Sequence, residues 1–142
     1  MVDDDADMRR LLSLVFSHAG AHAVAANGVL AALERFEKLQ PQLLVSDLEL
    51  PQRDGLELIR CIRSLPAHQG GGVPAIVLTG ASGGDVRRKA TSAGFNLFLP
   101  KPVGARELLE AATALLSPGA VAGSGSDAPQ SQRAPASGHA RL

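Results

Sequence analysis

The sequence has no tryptophan, no tyrosine and one cysteine among its 142 residues. One cysteine cannot close an intrachain disulfide, and a Cys-rich zinc site needs at least two. Four phenylalanines are the whole aromatic content, so there is no platform for stacking bases or sugars. Net charge is missing too, because Lys+Arg and Asp+Glu both number 14. A nucleic-acid binder normally carries a basic excess, so nucleic acid is not an expected partner. No apolar run approaches the ~20 residues of a membrane span. The opening Met1-Val2-Asp3-Asp4-Asp5 is the reverse of a signal peptide's basic start. The expectation is a cytoplasmic protein with no membrane partner.

What is present is globular in composition, 45% apolar and 20% charged. The composition breaks near the end. From Ser117 to Leu142, 18 of 26 residues are Ala, Gly, Pro or Ser. Such a stretch cannot bury enough apolar surface to offset its ordering entropy. The expected organisation is one folded domain over residues 1–116 and a disordered tail over 117–142.

Three short apolar runs stand out within the domain: Leu43-Leu44-Val45, Ala75 to Leu78, and Phe95 to Leu99. Continuous runs of this length read as strands of a parallel sheet buried on both faces. Ala21 to Ala26 is a weaker candidate nearer an edge. Between them lie helical patterns. Asp5 to Ala19 puts Met8, Leu11, Leu12, Val15 and Phe16 on one face, with Gly20 as a stop. Val29 to Leu39, Gly55 to Leu65, Gly84 to Ala93 and Ala105 to Leu116 follow, each ended by Gly or Pro nearby. This alternation predicts a three-layer α/β sandwich with right-handed crossovers. One strand is short. Only Met1-Val2 precedes the acidic turn, where a strand of about five residues is expected. The reading is that about four aliphatic residues are missing upstream.

In open parallel sheets the chemistry lies at the carboxyl ends of the strands. There the sequence puts Asp3, Asp4 and Asp5, then Asp47, then Thr79 with Gly80, then Lys101 with Pro102. Clustered carboxylates repel one another unless a cation is present. An oxygen-rich, partly open cluster suits Mg²⁺. Lys101 adds a positive charge and Thr79 a hydroxyl donor, a combination suited to a phosphoryl group beside a metal.

These segments, Val2-Asp3-Asp4-Asp5, Ser46 to Pro51 with Asp54-Gly55, Ile76 to Gly80, and Leu99-Pro100-Lys101-Pro102, resemble those of the response-regulator receiver domain of two-component signalling. Their order and spacing match across residues 2–116. The resemblance implies a doubly wound, five-stranded, flavodoxin-like parallel sheet of order 2-1-3-4-5, here with its first strand truncated. It implies that Asp47 accepts a phosphoryl group. Asp4, Asp47 and the Glu49 backbone carbonyl would ligate Mg²⁺, with Asp3 acting through a metal-bound water. Lys101 would contact the aspartate and then the phosphate. Thr79 and Phe98 would form the switch, and the Lys101–Pro102 bond would be cis. The implied partners are a histidine kinase or histidine phosphotransfer protein, and a downstream protein bound at the face of the fourth helix, fifth strand and fifth helix, where Arg87, Arg88 and Lys89 lie. A phosphorylation-dependent homodimer is compatible with the same face. The implied role is signalling, not enzymatic turnover of a substrate.

Two departures bear on this expectation. Glu49 puts a carboxylate two residues after the acceptor, which predicts altered autodephosphorylation. Phe98 stands where the family commonly has Tyr. Two other functions remain open. A haloacid-dehalogenase-like phosphatase also uses a strand-end Asp with Mg²⁺, but wants a second Asp where Glu49 stands. A degenerate receiver would bind partners without phosphorylation. Simpler readings account for the remaining features. The acidic start also favours a helix N-terminus, Cys61 fills a helix face, and the four histidines lack metal spacing. Gly70-Gly71-Gly72 lacks the Gly-Lys-Ser/Thr ending of a phosphate loop.

Overall fold

A computed structural model describes residues 1–81 and 83–117; the tail expected to be disordered otherwise lies outside the described residues. Helix α1 (Ala6–His18) starts where the Asp5 side chain accepts the Asp7 N–H at 2.9 Å. Gly20, at φ +93°, turns the chain after it. Helix α2 (Val29–Leu39) leads through Gln40 into β1 (Leu44–Asp47), which is buried throughout. Asp54 caps α3 (Gly55–Arg63), accepting the Glu57 N–H at 3.0 Å. A 3-10 turn (Ala67–Gln69) precedes the buried β2 (Ala75–Thr79). Helix α4 (Gly84–Ala93), β3 (Leu97–Pro100) and α5 (Ala105–Leu116) complete the described chain.

The three strands pair in parallel, with Leu44 opposite Ala75 and Ile76 opposite Leu97. Val2 extends the sheet as a single residue, bridging Ala26 on one side and Ser46 on the other. The lateral order is therefore the Ala26 segment, Val2, β1, β2 and β3. This is the expected 2-1-3-4-5 arrangement, with its first two places reduced to bridges. Alternate strand residues feed the two faces. Ala75 and Val77 join Phe36, Leu58, Ile62 and Ala90 under α2, α3 and α4. Val45, Ile76 and Leu78 join Leu12, Phe16, Leu108 and Ala112 under α1 and α5. Helices thus cover both faces of one sheet.

Four expectations need correction. Leu11 is 51% exposed, so the buried stripe of α1 narrows to Leu12 and Phe16. The last strand begins at Leu97, not Phe95. Phe95 packs in the core, while the Asn96 side chain accepts the Ala75 N–H at 2.8 Å. β3 is half-buried and forms the sheet edge, so it is not covered on both faces. The stretch from Ala21 to Ala26 forms no strand, only the bridge at Ala26.

Candidate functional site at the strand ends

Each site residue is set by the end of a strand or bridge. Val2 holds the first segment, donating to the Val45 carbonyl and accepting from the Asp47 N–H, both at 2.8 Å. The next residue, Asp3, is 1% exposed. Its carbonyl accepts from the Arg9 guanidinium, and its Oδ1 accepts the Asp5 N–H at 2.9 Å. Asp47 closes β1 and is 5% exposed, its Oδ1 accepting the Glu49 N–H at 3.2 Å. The turn after it passes so close to Gly55 that a Cβ there would lie 2.4 Å from the Asp47 carbonyl oxygen. Glycine is therefore required at that position for steric reasons.

Lys101 reaches across from the end of β3. Its Nζ lies 3.3 Å from Asp3 Oδ2 and 3.2 Å from Asp47 Oδ2. Its backbone N–H donates to the Thr79 carbonyl at 2.8 Å, and the following bond to Pro102 is cis as the motif implied. Thr79 is fully buried, and its Oγ1 accepts the Ala81 N–H at 3.0 Å.

The electrostatics follow from burial. Burial raises the Asp47 pKa, the Lys101 ammonium opposes that rise, and the Asp3 charge adds to it. Burial tends to lower Lys101, but hydrogen bonds and charge from Asp47 and Asp3 outweigh it and leave the ammonium held above its ordinary value. Asp3, Asp4 and Asp47 each offer an oxygen, all within 4.8 Å of one another. Three carboxylates against one ammonium leave this corner short of positive charge. Hard oxygen donors, two of them nearly removed from water, fit a small divalent cation such as Mg²⁺.

The predicted residues Asp3, Asp4, Asp47 and Lys101 therefore meet in one place, and Thr79 is tied to it through the Lys101 backbone. The Glu49 side chain is exposed, while its N–H holds the acceptor. Phe98 is half-buried on β3 opposite Val77. The Arg87 guanidinium sits 5.1 Å from its ring centroid, a cation–π distance. Nothing in the sequence pairs those two residues, since the pairing depends on how α4 packs on β3. Among the described residues no helix is long and apolar enough to cross a membrane.

Residues 1–113 match the family model of the response regulator receiver domain. The chain is 42% identical over 109 residues to an uncharacterized 14.6 kDa protein from the sodA1 3' region of Leptolyngbya boryana, covering 77% of this chain and 82% of that one. It is 37% identical to the response regulator MprA of Mycobacterium leprae over 81% of this chain, but spans only 49% of MprA. A response regulator receiver protein from Pseudomonas putida superimposes with TM-score 0.70 at 32% identity, over 79% of this chain and 91% of that one. The chemotaxis protein CheY4 of Vibrio cholerae shares the fold, with TM-score 0.76 at 24% identity, over 81% and 94%.

Proposed function

Because the chain belongs to the response regulator receiver domain family of two-component signalling, we propose that it is a phosphorylation switch whose acceptor is Asp47. The observation that carries this reading is the convergence of Asp47 Oδ2, Asp3 Oδ2 and Lys101 Nζ within 3.3 Å at the strand ends. An Asp47 carboxylate oxygen attacks phosphorus in a phosphohistidine or small phosphodonor. An O–P bond forms as the bond to the donor breaks, and the leaving group takes a proton from solvent. The product is an acyl phosphate on Asp47. Asp4, Asp47 and the Glu49 carbonyl would hold Mg²⁺, with Asp3 acting through a water. When bound, the ion supplies the positive charge that phosphoryl oxygens need at an acidic corner.

Lys101 orients the carboxylate and then pairs with the incoming phosphate. Thr79 leaves the Ala81 N–H to donate to a phosphoryl oxygen, and Phe98 moves inward behind it. The face built from α4, β3 and α5 then changes for a downstream protein or a second copy of the chain. A histidine kinase or phosphotransfer protein supplies the phosphoryl group in the cytoplasm. The exposed Glu49 carboxylate alters autodephosphorylation from outside the buried cluster.

The test is incubation of the full chain with radiolabelled acetyl phosphate, with and without Mg²⁺. Acid-stable, hydroxylamine-labile label is expected on Asp47 only with Mg²⁺, and the Asp47→Asn variant should take up none. Absence of Mg²⁺-dependent label would sink the reading in favour of a degenerate receiver. Steady turnover of phosphomonoesters would favour the phosphatase reading instead.

A further inference from the structure

A second cation stands at the acidic turn besides Lys101. Helical side chains lean toward the amino terminus of their helix. Arg9 lies one turn into α1, where its N–H donates to the Asp5 carbonyl at 3.0 Å. Its side chain therefore reaches back over Asp3-Asp4-Asp5, and Nη1 donates to the Asp3 carbonyl at 2.9 Å. The neighbouring Arg10 points elsewhere and pairs with Asp7 in solvent. Arg9 is half-buried and, among the described residues, forms no ion pair. With three aspartates in the turn it covers, this guanidinium binds backbone and leaves the carboxylate oxygens free.

The backbone it holds is that of Asp4. Asp3 is held at every oxygen: Oδ1 by the Asp5 N–H, Oδ2 by Lys101 Nζ, and the carbonyl by Arg9. Asp4 differs. Its carboxylate is exposed and has no hydrogen-bond or ion-pair partner among the described residues. Its direction is therefore set by the peptide planes on its two sides. Arg9 holds the plane before it, at the Asp3 carbonyl, and Asp3 Oδ1 holds the plane after it, at the Asp5 N–H. Each residue has only two soft backbone dihedrals, so pinning both planes fixes where the Asp4 side chain leaves the backbone. From there one Asp4 oxygen comes within 4.8 Å of oxygens on Asp3 and Asp47.

We propose that Arg9 is a positioning residue for the divalent cation, which aims the Asp4 carboxylate into the cluster by holding the Asp3 carbonyl; this rests on the Mg²⁺ site of the receiver reading. Two effects of Arg9 oppose each other. Its charge repels a nearby dication, so by charge alone the loss of Arg9 tightens Mg²⁺ binding. Its hydrogen bond orders a ligand before the ion arrives, so the loss of that bond weakens binding. Groups that orient metal ligands are worth about 10–100-fold in affinity. The sign of the change therefore separates positioning from charge.

The experiment titrates MgCl₂ into the full chain without a phosphodonor, read by the amide NMR shifts of Asp5 and Glu49. Arg9→Met keeps an unbranched apolar stem and a good helix former but removes the donor. It should raise the Mg²⁺ dissociation constant by at least ~10-fold. Tighter binding overturns the proposal, and so does a lowered metal-free urea midpoint with unchanged Mg²⁺ affinity. In an Asp4→Ala background the same substitution should change the constant by less than ~2-fold, because the side chain it aims is gone. A full second loss there would show that Arg9 acts elsewhere. Should Arg9→Met not fold, hydrogen exchange of the Arg9 guanidinium in the parent chain decides. Linkage is reciprocal, so saturating Mg²⁺ should slow that exchange, and equal or faster exchange overturns the proposal. A parent chain with no saturable Mg²⁺ response fails the receiver reading itself, whereas a saturable parent with an indifferent variant fails only the role of Arg9.

Discussion

At the carboxyl end of the sheet, side chains from three separate segments meet within 3.3 Å around Lys101 Nζ, and Asp3, Asp47 and Thr79 are almost wholly buried. At the amino end the same sheet opens on a cavity of about 630 Å³, where the Met1 amine is the last ladder group. Both ends depend on Val2, whose two bridges alone hold the central place of the sheet. At the site end, Asp3 Oδ1 accepts the Asp5 N–H and Asp47 Oδ1 accepts the Glu49 N–H within their own turns, and Lys101, distant in sequence, bridges both carboxylates. The two ends of one sheet therefore differ in packing, although both rest on Val2.

The largest expected effect tests that contrast in packing. Leu78 is 1% exposed and lies on β2 one residue before Thr79. Leu78→Ala should cost about 3 kcal/mol, through lost transfer energy and an unrelaxed cavity. Leu43 already borders open space, so Leu43→Ala should cost below about 1 kcal/mol. Urea denaturation of the two variants measures both. Equal losses would mean that the amino end packs as tightly as the site end.

The second effect concerns charge. Burial lowers the Met1 amine pKa from 8.0 to about 6. The folded state then binds fewer protons than the unfolded state between those values, so stability rises with pH there. The contribution is complete above pH 8 and is lost as pH falls to about 6. A two-unit displacement is worth at most about 3 kcal/mol. Acetylating the amine should remove that slope. It should also stabilise the chain below pH 7, since no cation then needs desolvation. Identical pH profiles for the free and acetylated chains would show that the amine is solvated, and the two ends would differ less than their packing indicates.

Much of the site was legible in the sequence, because topology does the gathering. Asp47, Thr79 and Lys101 each follow an aliphatic run, and parallel strands bring such positions to one edge. The bounds of α2, α4 and α5 were legible from the glycines and prolines beside them. The outward turn of Leu11 was not, because an amphipathic stripe shows which residues share a face and not how far a neighbouring helix covers it. The start of β3 was misplaced because Asn96 spends its side chain on the Ala75 N–H, a tertiary bond that no local pattern carries. The cavity behind Met1 could be anticipated as a short strand.

The smallest effect lies at the site end, on the face that would report the switch. Arg87 stacks over Phe98 from α4 at 5.1 Å, with its guanidinium in solvent. An exposed cation–π contact is worth about 0.5–1 kcal/mol. Arg87→Ala should therefore lower stability by that amount and increase motion of the Phe98 ring, seen in its side-chain NMR order parameters. Arg87→Lys keeps the charge but loses the planar stack, and should fall between the two. Among the described residues no cation–π contact holds the amino end, so the same measurement on Phe36 beside the cavity should be unaffected by either substitution. If the Phe98 ring is as ordered in Arg87→Ala as in the parent chain, the restraint comes from β3 and its neighbours alone. The arginine would then be an ordinary solvated charge on α4.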